Sequence, residues 1–273
     1  MAETRKKNNF VAGKYIIDSQ TNPIEQIHTL VPSSLMFRPF LSQPWRQRET
    51  GILCRRIEPP HVYDFEKLSH AILTDREKLI WYQMSKKGLR RIEWLLGRAA
   101  AKDAVRQWAG ENEDLTLNYL DLEILATASG KPQVNCPSLA DKGVILDISL
   151  SHTQNYILAA VAPPKHQIGI DLELISNLNM EDVKNMAFTE LELSLLPNPS
   201  CEMSLLSFWC AKEAAAKATG IGIQSHPHQW LITDYFPEAQ KIQVTHDNQV
   251  FEVKLWYGNA EVVAICQILA VSY

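Results

Sequence analysis

The stretch IGIDLELI, residues 168–175, alternates apolar and polar side chains. Successive side chains of a strand point to opposite faces, so one face of this run is apolar: Ile168, Ile170, Leu172 and Leu174. The other face carries Gly169, Asp171 and Glu173. The run therefore predicts a half-buried strand with two carboxylates side by side.

Strand and helix patterns lie on both sides of this run. Residues 144–152 and 156–162 are apolar runs separated by a short polar turn, which predicts a hairpin. Helical patterns cover 64–109, 180–196 and 205–220. Gly110 and Gly220 are typical helix stops. The mixture predicts an α+β fold.

An internal repeat predicts that the fold is a pseudo-dimer of two similar α/β halves. Trp94 and residues 99–102 match Trp209 and residues 214–217 at a constant offset of 115 residues, which also carries Arg98 onto Glu213. Equivalent helices should therefore hold Trp94 and Trp209.

The expected organisation has three parts: an N-terminal extension of unknown role at 1–45, an N-terminal half at 46–164 and a C-terminal half at 165–273. The 273 residues include 46% hydrophobic and 21% charged side chains, as in ordinary globular proteins. The formal net charge of −4 gives no basic field for nucleic acid or an anionic membrane. The N-terminus has no apolar signal segment, and no run has the ~18 apolar residues of a membrane span. We expect a cytoplasmic protein.

The five cysteines are scattered, and no two of them form a C-x-x-C pair. This spacing argues against both a disulfide framework and a zinc site. We expect buried thiols.

A third carboxylate, on a predicted helix, could join Asp171 and Glu173 of the strand 168–175. Glu213 continues the helical stripe of Leu205 and Trp209 at spacings of four residues. Together with Asp171 and Glu173 it would supply the oxygen ligands that Mg²⁺ prefers. The alternatives are a solvated strand face and an exposed Glu213–Lys217 pair.

Four other residues suit phosphate binding. His152 and Ser151 lie at the end of a hairpin strand, Lys131 lies in a Gly-Lys-Pro turn, and Arg98 lies within a helix. Each has a simpler interpretation as a turn or surface residue.

In order, GKP at 130–132, SHT at 151–153, GIDLE at 169–173 and WCAKEAAAK at 209–217 resemble the motifs of 4′-phosphopantetheinyl transferases. The resemblance extends from about residue 50 to the C-terminus. The length is similar to the large, surfactin-type subfamily, whose single chain forms a pseudo-dimer. The resemblance therefore implies a monomeric enzyme with two halves.

The resemblance also implies an activity and a set of roles. The enzyme would move the phosphopantetheine arm of coenzyme A to a serine of an apo acyl or peptidyl carrier protein. Asp171, Glu173 and Glu213 would hold Mg²⁺, with Glu213 also taking the serine proton, and Lys217 and His152 would contact phosphates. The 3′-phosphoadenosine end would lie against Ser151, Lys131 and Arg98, with three other basic residues as rivals of Arg98: Arg90, Arg91 and Lys102.

Two other functions stay open at this point. One is a different Mg²⁺-dependent enzyme that cleaves phosphodiesters with the same carboxylates. The first would need neither the GKP turn nor the SHT motif. The other is a non-catalytic module that binds a nucleotide or a carrier domain as a scaffold, and it would have no use for three carboxylates in metal-binding register.

Overall fold

The computed structural model describes residues 45–47, 51–57, 64–85, 89–153, 156–224, 226–258 and 260–269. Apart from Trp45, the expected extension at 1–45 lies outside the described residues. None of the helices in these ranges is long and apolar enough to cross a membrane.

The first sheet has six antiparallel strands in the order β1-β2-β6-β5-β4-β3. Its strands are β1 Trp45–Gln47, β2 Ile52–Ile57, β3 Glu123–Ala126, β4 Pro132–Asn135, β5 Asp147–His152 and β6 Ile157–Ala162. The helices of this part are α1 Phe65–Ile72, α2 Asp75–Gln83, α3 Leu89–Glu113 and the short α4 Pro137–Ala140. The long helix α3 packs on β6 and β2.

The second sheet has five antiparallel strands in the order β7-β11-β10-β9-β8. Its strands are β7 His166–Leu174, β8 Leu231–Phe236, β9 Lys241–His246, β10 Gln249–Tyr257 and β11 Glu261–Leu269. The helices here are α5 Met180–Ala187, α6 Glu190–Ser194 and α7 Glu202–Thr219, and α7 packs on β7 and β11.

The two sheets have corresponding topologies. Without β1, the order β2-β6-β5-β4-β3 matches β7-β11-β10-β9-β8 strand for strand, and one long helix covers each sheet. The predicted α+β fold with two similar halves is therefore confirmed.

The repeat register predicted for the two long helices is wrong. Lys102 on α3 and Lys212 on α7 are each fully buried against a glutamate that closes a helix cap, so these two lysines are the equivalent pair. Their offset is 110 residues, not 115. Trp94 and Trp209 lie in equivalent helices at different positions, and Asp103, not Arg98, corresponds to Glu213.

Three apolar clusters account for the packing of the described residues. One lies under α3, a second lies under α7, and a third joins the two sheets. The third cluster contains Ile168, Ile170 and Leu172, the residues of the predicted apolar face of β7. The hydrophobic burial of that face therefore holds the two sheets together.

Several local predictions are confirmed and others are wrong. The hairpin of β5 and β6 and the helix stop at Gly220, which has φ 77°, are confirmed. Gly110 does not end α3, which continues to Glu113. The segment 180–196 is two helices, because Thr189 begins α6 with a capping box. The segment 64–109 is likewise divided among α1, α2 and α3.

Candidate active site

Helix α7 crosses β7 directly over Gly169. A β-carbon built at Gly169 would overlap the Ala214 carbonyl oxygen and contact the Ala218 nitrogen. The absence of a side chain thus lets the two backbones touch. This contact places Glu213, which precedes Ala214, and Lys217, which precedes Ala218, over the face of β7 that carries its carboxylates.

One edge of β7 forms a backbone ladder with β11, and side chains of β5 accept hydrogen bonds from the backbone of the other edge. Three backbone N–H groups of β7 donate to side-chain oxygens of β5 at 2.7–3.1 Å: Ile168 to Asp147, Ile170 to Ser149 and Leu172 to Ser151. These side chains satisfy N–H groups that would otherwise be buried without partners. The ladder fixes β7, and its carboxylates, against the first sheet.

Asp171 is the centre of this seam and is only 2% exposed. Its Oδ1 accepts hydrogen bonds from Lys217 Nζ at 2.6 Å and from Ser151 Oγ at 3.0 Å. Its Oδ2 is buried and has no hydrogen-bond partner among the described residues. A buried carboxylate oxygen without a partner is costly, so this atom is suited to a further ligand.

The other acidic side chains of the cluster have altered acidities. Burial, followed by the negative charge of Asp171, raises the pKa of Glu173 to about 8, although Lys217 and a hydrogen bond from Trp209 lower it. Burial also raises the pKa of Glu213 to about 7, against the opposing charge of Lys217. Burial alone would lower the pKa of Lys217, but Asp171 and Glu213 raise it above its ordinary value. Ionisation of all three acids would thus put more negative charge here than Lys217 can balance.

These residues fit a divalent cation. Asp171, Glu173 and Glu213 share a single neighbouring lysine, and an added Mg²⁺ would favour the ionised form of the two glutamates by neutralising their charge. The unpaired Oδ2 of Asp171 is the oxygen best placed to bind it. The described residues contain no preformed group of three metal-ligating side chains, and Lys217 lies against Asp171.

Of the SHT and GKP residues, one contacts Asp171 and two have other partners. Ser151 contacts Asp171 directly. His152 is 60% exposed at the end of β5, with Nε2 3.6 Å from the Glu93 carboxylate. Lys131 donates to Asp147 at 2.7 Å and to the Ala218 carbonyl at 3.1 Å, so it joins the first sheet to the end of α7.

Arg98 does not approach the carboxylate cluster. Its guanidinium stacks on Trp94 at 3.8 Å, and burial lowers its pKa to about 10, opposed by Glu77. The acid that interacts with Arg98 is therefore Glu77, in the N-terminal half.

The rivals of Arg98 differ in their availability. Lys102 is fully buried with Glu77, and Arg91 is bound to Glu66 and stacked on Trp81. Arg90 is exposed on α3, three residues before Glu93, the neighbour of His152. Arg90 is thus the basic residue of this set that is free to meet a ligand near His152.

Sequence reasoning assigned no role in the site to three residues that shape it. Gly169 permits the helix contact, Asp147 begins the side-chain ladder, and Trp209 interacts with Glu173. The alternation D-x-S-x-S at 147–151 was the available signal for the ladder, because it puts three acceptors on one strand face.

The stability of the metal-free protein should fall as the pH rises from about 5 to about 8. The pKa of Glu173 is about 8 in the folded protein against an ordinary 4.5, so the folded state binds more protons than the unfolded chain in this interval. Glu173→Gln should raise the free energy of unfolding at pH 8 by about 2 kcal/mol, allowing for partial solvent screening, with little change at pH 5.

Urea unfolding in EDTA at both pH values measures this effect. Glu238→Gln, an exposed residue in the turn between β8 and β9, is the control and should leave the pH dependence unchanged. An equal effect of Glu173→Gln at both pH values would contradict the assignment.

Comparison with known proteins assigns the region that holds this cluster. Residues 167–266 match the model of the 4′-phosphopantetheinyl transferase superfamily. The holo-[acyl-carrier-protein] synthase of Anoxybacillus flavithermus is 35% identical over 95 residues, which are 35% of this chain and 75% of that protein. That of Bacillus subtilis is 34% identical over 96 residues, 35% of this chain and 76% of that protein.

A similar solved structure is a holo-(acyl-carrier-protein) synthase from Bacillus anthracis in complex with CoA (3′,5′-ADP). It is 27% identical, covers 42% of this chain and 96% of its own, and has a TM-score of 0.36. The family match spans β7 to β11 and α7, and therefore includes Asp171, Glu173, Glu213 and Lys217. Because this chain matches about three quarters of the length of these relatives at 34–35% identity, it belongs to the 4′-phosphopantetheinyl transferase superfamily.

Proposed function

We propose that this enzyme transfers the 4′-phosphopantetheine moiety of coenzyme A to a serine of an apo carrier protein. The serine oxygen attacks the β-phosphorus of the pyrophosphate, the bond to the bridging oxygen breaks, and adenosine 3′,5′-bisphosphate leaves. The observation that carries the proposal is the buried Asp171–Lys217 pair, with Glu173 and Glu213 beside it, in the region that matches the family.

The reaction requires a base, positive charge near the pyrophosphate and fixed geometry. We assign Glu213 on α7 as the base that accepts the serine proton. Lys217 supplies a fixed cation whose side chain is 28% exposed and so can meet a phosphate oxygen. Mg²⁺, when bound by Asp171, Glu173 and Glu213, would neutralise charge on the pyrophosphate.

The geometry supports some phosphate-binding roles more than others. The exposed His152 and Arg90 are available to the nucleotide end of coenzyme A. Lys131 is already paired with Asp147, and the guanidinium of Arg98 is stacked on Trp94. We therefore favour Arg90 over Arg98 for the 3′-phosphate, and Ser151 as a residue that orients Asp171.

We further propose that the chain is of the large, two-half type, with halves at 46–164 and 165–273, and acts as a monomer. The N-terminal counterpart of Glu213 is Asp103, which is bound to Arg55 at 2.6 Å. Asp103 faces the cations Arg55 and Arg106, whereas Glu213 faces the acids Asp171 and Glu173, so only the C-terminal position gathers carboxylates for a metal. This difference supports one active site per chain, in the C-terminal half and at its border with the N-terminal half. Its cytoplasmic location stays a prediction.

Incubation with coenzyme A, Mg²⁺ and a panel of apo acyl and peptidyl carrier domains tests the proposal by intact-mass measurement. We expect one carrier or more to gain the mass of phosphopantetheine. No gain on any carrier, together with cleavage of a generic phosphodiester, would instead support the phosphodiesterase alternative. Binding of a carrier without a mass gain would support the non-catalytic module.

The surface formed by α5 and α6 is the expected docking site for the carrier. Met186 is 52% exposed and Leu191 is 81% exposed, so these residues are not core. Lys184 lies on the same helix as Met186. The chain carries a net charge of −4 and Lys184 lies 3.8 Å from the Glu181 carboxylate, so the exposed apolar side chains should supply most of the contact and Lys184 a local charge for an acidic carrier.

Lys184→Glu combined with Met186→Gln should raise the KM for the carrier about tenfold and leave the KM for coenzyme A within about twofold. Lys241→Glu on β9 is a matched charge reversal and should change neither constant. If the KM for coenzyme A rises in parallel, the docking surface lies elsewhere.

A further inference from the structure

Two buried lysines occupy equivalent environments in the two halves. Lys102 on α3 donates to Glu77 at 2.5 Å, and Lys212 on α7 donates to Glu192 at 2.6 Å. Both lysine side chains are fully buried. A buried lysine is costly unless its charge is paired and its protons are bonded, so each cluster has a specific structural role.

The glutamate of each cluster is held by a helix cap and an edge strand. Glu77 closes a capping box with Thr74, and Glu192 closes one with Thr189. Each glutamate also accepts a hydrogen bond at 2.9 Å from a backbone N–H of an edge strand. The donor is Ile124 on β3 for Glu77 and Ile232 on β8 for Glu192. The lysine therefore binds a carboxylate that cannot move freely.

Backbone carbonyls complete both clusters. Lys102 Nζ donates to the carbonyls of Ile72 at 2.6 Å and Tyr119 at 3.0 Å. Lys212 Nζ donates to those of Ala187 at 2.6 Å and Pro227 at 3.2 Å. Three acceptors use all three protons of each ammonium, and they come from segments before and after the long helix. Each lysine thus fixes the rotation of its helix about its axis.

The residue that follows each lysine interacts with the strand under its helix, which is β2 in the N-terminal half and β7 in the C-terminal half. In the N-terminal half this residue is Asp103, which is bound to Arg55 on β2. In the C-terminal half it is Glu213, which interacts with Asp171 on β7. Since one residue corresponds to about 100° of helix rotation, a helix anchored at Lys212 has a fixed direction for Glu213.

We propose that Lys212 is a positioning residue of the active site, which holds α7 so that Glu213 faces Asp171 and Glu173. The inference rests on the proposed function. Lys212 is fully buried and bonded to three acceptors, so it acts through the orientation of Glu213 and not by touching coenzyme A.

The repeat supplies a matched control for the test. Lys212→Met with Glu192→Gln removes the cluster beside Glu213, and Lys102→Met with Glu77→Gln removes the same cluster beside Asp103. Paired substitutions are required, because a single lysine replacement would leave a buried glutamate without its partner. Both double variants should lose a similar amount of thermal stability.

Only the C-terminal double variant should affect chemistry. We expect kcat to fall about 100-fold while the KM for coenzyme A changes less than about threefold. The rise in Tm that Mg²⁺ gives the wild-type protein should also be lost. The N-terminal double variant should keep kcat within about threefold and keep the Mg²⁺ response. If the C-terminal double variant does not fold, Lys212→Gln with Glu192→Gln and Lys102→Gln with Glu77→Gln form the matched pair, because they keep hydrogen-bonding groups in each cluster, with a smaller difference in the same direction.

The outcomes separate this inference from the proposed function. Equal effects of the two double variants on kcat and on the Mg²⁺ response would overturn the role of Lys212 while leaving the transferase activity in place. A wild-type protein that responds to Mg²⁺ but modifies no carrier would count against the proposed function, and the loss of that response in the C-terminal variant would still support the positioning role. A wild-type protein that neither responds to Mg²⁺ nor modifies a carrier would overturn both the positioning role of Lys212 and the proposed function.

Discussion

Replacing Asp171 with alanine should abolish transfer of phosphopantetheine, lowering kcat/KM by about 1,000-fold or more. Asp171 is the one carboxylate that contacts both Ser151 and Lys217, and it holds the unpaired buried oxygen that we assign to Mg²⁺. Its loss removes a metal ligand and the partner that orients Lys217. Transfer to a carrier, followed by intact mass, measures the effect.

The fold should survive this change. Alanine fits the strand, and the ladder from Ser151 to the Leu172 N–H does not require the carboxylate. Asp171→Asn is the closest control, because it keeps the shape and an acceptor for Ser151 but not the charge. It should fold like the wild type and also be inactive. Full Mg²⁺-dependent activity of Asp171→Ala would mean that the metal site is wrongly assigned.

Gly169→Ala should produce the largest loss of stability, about 3 kcal/mol in the free energy of unfolding. The new methyl group would overlap the Ala214 carbonyl of α7, which is backbone and cannot rotate away. Helix α7 would have to move off β7, and Glu213 and Lys217 would move with it. Transfer activity should therefore fall along with the urea midpoint.

Gly97→Ala is the matched control on α3. Its β-carbon would lie 3.7 Å from Leu150 Cδ1, an ordinary contact, and alanine is favoured over glycine within a helix. The free energy of unfolding should stay the same or rise by up to about 1 kcal/mol. If Gly169→Ala is as stable as Gly97→Ala, the close approach of α7 and β7 is not required.

The parts of the fold that depend on local patterns could be predicted from the sequence. Strict alternation identified β7 and its carboxylate face, and Gly220 marked the end of α7. The capping box at Thr189 was also visible as T-x-x-E, but the apolar pattern of 180–196 favoured one continuous helix. There the capping signal should have outweighed the pattern.

The register of the repeat could not be predicted in the same way. The AAAK match that gave the offset of 115 reflects the alanine-rich composition of both helices, whereas the true pair, Lys102 and Lys212, is defined by distant partners. Lys102 is 25 residues from Glu77, and Lys212 is 20 residues from Glu192. The different lengths of the intervening segments conceal this equivalence in the sequence.

The active site itself was only partly visible. The sequence indicated which acids share a strand face, but not that Lys217 binds Asp171 or that Lys131 is paired with Asp147. These contacts join residues that are 46 and 16 positions apart, and they depend on how α7 packs on β7 and on how β4 pairs with β5. Arg98 had a suitable residue type, but its burial and its stacking on Trp94 distinguish it from the exposed Arg90.

The position of the metal and of coenzyme A tests the central claim most directly. Crystals grown with coenzyme A and Mn²⁺ should give an anomalous difference peak bound by Asp171, Glu173 and Glu213, with the pyrophosphate against Lys217. A peak bound by other residues, or a pyrophosphate away from β7 and α7, would contradict the account.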